Sequence, residues 1–141
     1  MSAITVNDVR HAIMATLKAN FPDAKVYGEE IKQGFTEPAF FVKVLNTTHS
    51  KELDRRYRRV QFFDVHYFDR TNEALHAAAE KLYDVLEYLT VSDGVIRGTG
   101  MRHEIVDGVL HFFVEYSMYL LRPREDGVKM KDLDVEGMLS G

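Results

Sequence analysis

The chain has 141 residues, 45% of them hydrophobic, a formal net charge of −4 and no cysteine. That length and composition suit a folded unit with a real core, and they exclude disulfides, thiol metal sites and any overall basic attraction to nucleic acid or to an anionic membrane. No apolar run reaches the roughly 18 residues that a spanning helix needs, and the opening MSAITVNDVRHAI lacks the basic-then-apolar shape of a signal peptide. A soluble protein made in a cytoplasm is the expectation.

Residues 5–21 form the first expected helix. Thr5 or Asn7 can cap it, Asp8 suits the positive end of the helix dipole, and Val6, Val9, Ile13, Leu17 and Phe21 recur at spacings of three and four. Pro22 stops it. Met14 reads as a core gap-filler rather than a binding contact.

Lys25–Glu29 is a short strand candidate, Gly34 marks a loop, and Pro38 withholds a donor just before the next strand, Ala39–Thr48. That strand is apolar on both faces, as in a sheet covered twice. Ser50–Asp54 reads as a turn or protruding loop. Residues 55–69, RRYRRVQFFDVHYFD, make a third strand, charged at its near end and aromatic at its far end. Such a strand projects past the covered part of the sheet, so the two long strands are expected to form an extended hairpin.

A second helix is expected from Glu73 to Leu89, with Leu75, Ala78, Leu82, Val85, Leu86 and Leu89 as its stripe. Gly94, Gly98 and Gly100 punctuate the chain before a closing hairpin, Val95–Leu121. Its turn is Asp107-Gly108, a pair that accepts positive φ at low cost. Beyond the turn, Leu110, Phe112, Val114, Tyr116, Met118 and Leu120 alternate with His111, Phe113, Glu115, Ser117 and Tyr119. One face is dry and the other half-dry, so helices should cover the first and another subunit can cover the second.

The fold class that follows is α+β: a mostly antiparallel sheet of four to five strands with two helices packed on one face, plus the long hairpin extension. Residues 1–121 are taken as one domain. Residues 122–141 lack amphipathic period and read as an extended C-terminal tail, ordered only against something else.

Chemistry is sparse. His66, His103 and His111 lie on strands near Asp64 and Glu104, and Asp64 and His66 share a strand face. Zinc sites usually show tighter groupings such as H-E-x-x-H, so hydrogen-bonded or partner-facing histidine is the plainer reading, and no metal ligand is assigned. There is no G-x-S-x-G, and Ser117 pairs with no histidine by any spacing rule. RGTGMRH, residues 97–103, superficially resembles a phosphate loop but lacks the Gly-Lys-Ser/Thr ending and leads into no helix; a strand with a bulge is the simpler reading. No catalytic residue and no cofactor is assigned.

The most distinctive charged feature is Arg55, Arg56, Arg58 and Arg59, with Tyr57 interleaved. Arginine suits bidentate pairing with carboxylates or phosphates. In an acidic chain, a salt-bridged subunit interface is favoured over DNA contact or a merely solvated hairpin. His111, Phe113 and Tyr119 join these five as candidate subunit-interface residues. Arg55 and Arg59 are expected to contact protein rather than DNA.

The stretches YGEEIKQGFTEPAFFVKVL, RRYRRVQFFDVHYF and RGTGMRHEIVDGVLHFFVEY resemble the phage tail terminator family of tailed bacteriophages and prophages, over roughly residues 3–121. The resemblance implies a non-enzymatic virion protein, assembled in the host bacterial cytoplasm, of the α+β type of lambda-like tail completion proteins. It implies a hexameric ring that caps the tail tube, stops elongation and offers a docking surface to the head. Its implied partners are further copies of itself, the tail tube protein, the head-tail connector or neck protein and, in contractile tails, the sheath. DNA passes only through the lumen, and no membrane is involved. The alternatives are another neck, head-tail joining or minor tail protein, or a small metal- or ligand-binding domain using the histidines.

Overall fold

The computed structural model describes residues 4–28, 34–92 and 94–121. In chain order the elements are α1 (Val6–Asn20), β1 (Lys25–Tyr27), β2 (Ala39–Leu53), β3 (Arg56–Phe68), α2 (Asn72–Val85), β4 (Tyr88–Val91), β5 (Gly94–Val106) and β6 (Val109–Leu121). The strands form one six-stranded sheet in the order β1-β2-β3-β6-β5-β4. Every neighbour pair is antiparallel except β1 with β2. The class is therefore α+β, as the patterning implied.

α1 starts at Thr5, whose hydroxyl accepts from the Asp8 backbone N–H while the Asp8 carboxylate accepts from that of Thr5. This reciprocal cap satisfies two donors that the first turn would otherwise leave open. Val9, Ile13 and Leu17 are fully buried, and so are Leu75, Ala79 and Leu82 of α2. Both stripes press on the same sheet face, against Phe40 and Val42 of β2, Phe63 and Val65 of β3, and Leu110, Phe112, Val114 and Tyr116 of β6. α1 touches β1 and β2 near one edge of the sheet and β4 at the other, so the sheet curls around it.

The closing hairpin forms as expected. Asp107 and Gly108 both have positive φ, 53° and 76°, the conformation a two-residue turn between twisted strands requires. Alternate β6 residues from Leu110 to Met118 are buried. The expected bulge lies in β5, where the register against β6 shifts between Thr99 and Arg102. Gly98 has a separate packing reason: a Cβ there would stand 2.7 Å from the Leu86 carbonyl oxygen and 2.9 Å from a Val114 methyl.

Two expectations need correction. The sheet has six strands rather than four to five, because the second helix ends at Val85 and not at Leu89. Tyr88–Val91 is instead a strand, β4, paired with Val95, Ile96 and Arg97. Aromatic Tyr88 and branched Thr90 and Val91 suit a strand, and Ser92 turns the chain at φ 54°. The second correction concerns Ser50–Asp54. β2 runs on to Leu53, and only Asp54 and Arg55 make the turn, with Asp54 at φ 53°. The last part of β2 is exposed on both sides, which is why its polar sequence reads as loop. The proposed tail, 122–141, lies outside the described residues.

Candidate functional site

The extended hairpin carries the arginines, and strand alternation sorts them. Arg56 and Arg58 lie on the sheet face that neither α1 nor α2 covers, helix-free among the described residues; in register they stand beside Leu121 and Tyr119 of β6, and beside Leu53 and Ser50 of β2. The Arg56 guanidinium sits 4.0 Å from the centre of the Tyr119 ring. Leu53, Tyr119 and Leu121 are 75%, 55% and 63% exposed, large values for side chains of this size. The ribbon therefore ends in a patch of exposed leucine, tyrosine and arginine, a composition that suits contact with another protein surface.

Tyr57 and Arg59 belong to the opposite face. The Tyr57 ring stacks on His49 at 4.9 Å, and Arg59 donates to His49 Nδ1 at 3.2 Å and to the Ile4 carbonyl at 3.3 Å. Arg55 is half-buried in the turn, its Nε 3.8 Å from the Asp54 carboxylate. The five residues read from sequence as one cluster thus divide: Arg56 and Arg58 face outward with Tyr119, whereas Tyr57 and Arg59 lie on the opposite face and Arg55 in the turn.

Farther along the same helix-free face lie His111 and Phe113, both half-buried. The Arg102 guanidinium covers the Phe113 ring at 4.0 Å. Beside them is an arrangement that sequence spacing does not disclose. His66 on β3 pairs in register with His111 on β6, and Phe113 pairs with Asp64. Asp64 and His66 are buried, and the Asp64 Oδ2 atom contacts His66 Nε2 at 2.9 Å and His111 Nδ1 at 3.1 Å. Burial alone would raise the Asp64 carboxyl, but the hydrogen bonds from His66 and His111 outweigh it and hold the group below the usual carboxylate value. His103, grouped with these in the sequence, lies elsewhere: it contacts His76 at 3.2 Å and the Tyr83 hydroxyl at 2.8 Å.

The sheet's outer strands have partly open edges. Among the described residues, β1 pairs only with Ala39–Phe41 of β2, and β4 only with Gly94–Arg97 of β5. The rest of β2 and of β5 is edge strand, the usual place for strand addition by a neighbour. No described helix is long and apolar enough to cross a membrane.

Among the described residues, then, the molecule is a curled α+β sheet with one face that neither helix covers and a polar ribbon tipped by exposed Leu53, Tyr119 and Leu121. The family model described as phage tail terminator protein matches residues 8–128, and the chain belongs to that family. It is accordingly a structural component of a phage tail, and so of the virion. No curated protein matches the sequence.

Proposed function

We propose that this chain is the tail terminator of its phage. It forms a hexameric ring on the last ring of the tail tube, stops further tube addition, and gives the head-side neck or connector protein a surface to dock on. Family membership across residues 8–128 carries this reading. The placement of Arg56, Arg58, Tyr119 and Leu121 on an exposed ribbon supports it, as do the edges of β2 and β5 that no described strand pairs with. Contacts between unlike surfaces of identical subunits close into a ring when the rotation between them divides the circle.

Capping in this reading works by shape and chemistry of surfaces and needs no catalytic step. One side of the ring matches the tube rim, and the other offers no tube-like edge. Arg56, Arg58 and Tyr119, with His111 and Phe113 on the same face, supply contacts to the neighbouring copy; Arg55, Tyr57 and Arg59 keep the ribbon in shape for them. The sheath is a further partner if the tail is contractile, and DNA only traverses the lumen.

The test is genetic and structural together. Phage lacking the gene should make tails of uncontrolled length that fail to join heads, and purified protein should restore the normal length by binding tube ends. Tails of normal length in the deletion, with the protein on heads in tail-less lysates, would assign it instead to the head side of the joint.

A further inference from the structure

On the helix-free face, two histidines from adjacent strands converge on one oxygen of a buried aspartate. We propose that Asp64, His66 and His111 form a binding site for a divalent transition ion of the zinc class. This goes beyond the capping role and concerns a site inside a single subunit.

The donor set is one carboxylate and two imidazoles, which suits zinc and its neighbours better than magnesium or calcium. The donor atoms all lie within 4.8 Å of one another, with Asp64 Oδ2 at 2.9 Å from His66 Nε2 and 3.1 Å from His111 Nδ1. A tetrahedral ion with zinc-like bond lengths separates its ligand atoms by about 3.3 Å. An ion in place of the shared hydrogens therefore moves the first two edges by only tenths of an ångström. The imidazole rings are already edge-on to each other, with centroids 4.4 Å apart. All three residues sit on strands paired in register, which fixes their backbones without a loop to order.

A second observation points the same way. The Asp64 side chain is only 8% exposed, yet its Oδ1 has no hydrogen-bond partner among the described residues, because both histidines are aimed at Oδ2. A buried carboxylate with one oxygen unmet is costly, and an ion that engages Oδ1 together with Oδ2 and the two imidazoles offsets that cost. The charged neighbours leave room for it. Lys43 stands across from Asp64 on β2 but is exposed, and among the described residues no lysine or arginine nitrogen pairs with Asp64, whose close partners are the two imidazoles. Glu104 stands across from His111 on β5. His111 is 22% exposed, so the remaining coordination position opens toward solvent, where water or Glu104 completes the shell. The His76–His103–Tyr83 group lacks a carboxylate and makes a natural control.

The experiment uses the full chain, freed of any histidine tag and stripped with chelator, titrated with Co²⁺ and then displaced with Zn²⁺. We expect one saturable equivalent, with the visible bands of a four-coordinate cobalt centre, and a thermal midpoint that rises with zinc. Binding should vanish in Asp64→Asn and His111→Ala and persist in His76→Ala. Far-UV circular dichroism checks the fold of each variant; if buried Asp64→Asn does not fold, His111→Ala, at the less buried of the two histidines, and the wild type decide the matter. Absence of a saturable equivalent in the wild type, or its survival in folded His111→Ala, overturns the proposal.

Discussion

Tyr116 donates its phenolic hydrogen to the carbonyl of Leu86 at 2.6 Å inside the core, tying the central strand β6 to the C-terminal end of α2. Burial pushes that phenol well above its usual range, so it stays a donor at any working pH. Tyr116→Phe keeps the ring but leaves the Leu86 carbonyl without this donor. We expect a loss of about 1–3 kcal/mol in urea unfolding, with the assembled form unchanged once the chain has folded.

Gln61 presents the opposite sign. It is completely buried, and neither atom of its amide has a partner among the described residues. Gln61→Met keeps nearly the same volume and removes two unmet polar atoms. The variant should be more stable by roughly 1 kcal/mol or more in chemical denaturation. A destabilised variant would mean that the amide has a role which its hydrogen bonding does not reveal.

Arg56 rests on Tyr119 at an exposed site. Exposed contacts of this kind contribute about 1 kcal/mol or less. Arg56→Ala and Tyr119→Ala should therefore leave the melting of the free subunit almost unchanged while impairing ring formation, read by sedimentation or electron microscopy. Arg59→Ala should behave differently, loosening the ribbon's hold on Ile4 and His49 before assembly is reached. Ring formation should also weaken with added salt if ion pairs join the copies.

The α1 cap gives a pH dependence. The Thr5 backbone N–H and hydroxyl hold the Asp8 carboxyl below its ordinary value of 3.8. A group depressed on folding contributes its stability above its unfolded value and loses it as the pH falls through the folded one. Wild type and Asp8→Ala should therefore differ in thermal midpoint near neutrality, and the difference should shrink as the pH falls below 3.8. A constant gap across that window would show that the cap does not depend on the charge of Asp8.

Much of the fold is legible in the chain because its signals are local. Val9, Ile13 and Leu17 announce α1; the alternation from Leu110 to Leu120 announces β6; Asp107-Gly108 announces the turn before it. β4 was hidden because Leu86 and Leu89 extend the α2 stripe in step, although Leu86 caps the helix and Leu89 already belongs to a strand. The outer part of β2 was hidden because a ribbon wet on both faces has no apolar alternation to read. The arginine run suggested one cluster, yet a strand sends neighbours to opposite faces, so Tyr57 and Arg59 part from Arg56 and Arg58. The meeting of His66 with His111 depends on which residue of β3 lies opposite which residue of β6. That register is a long-range property, set once both strands bury their apolar faces beneath the helices. Placing Phe63 and Val65 beside Val114 and Phe112 would have found it.

β6 is the last described strand in sequence, yet it lies between β3 and β5. Until the ribosome has delivered it, the earlier hairpins have no shared centre, and neither helix has a complete floor to rest on. A prematurely stopped translation product thus lacks the strand that joins β3 to β5 and cannot close the same sheet.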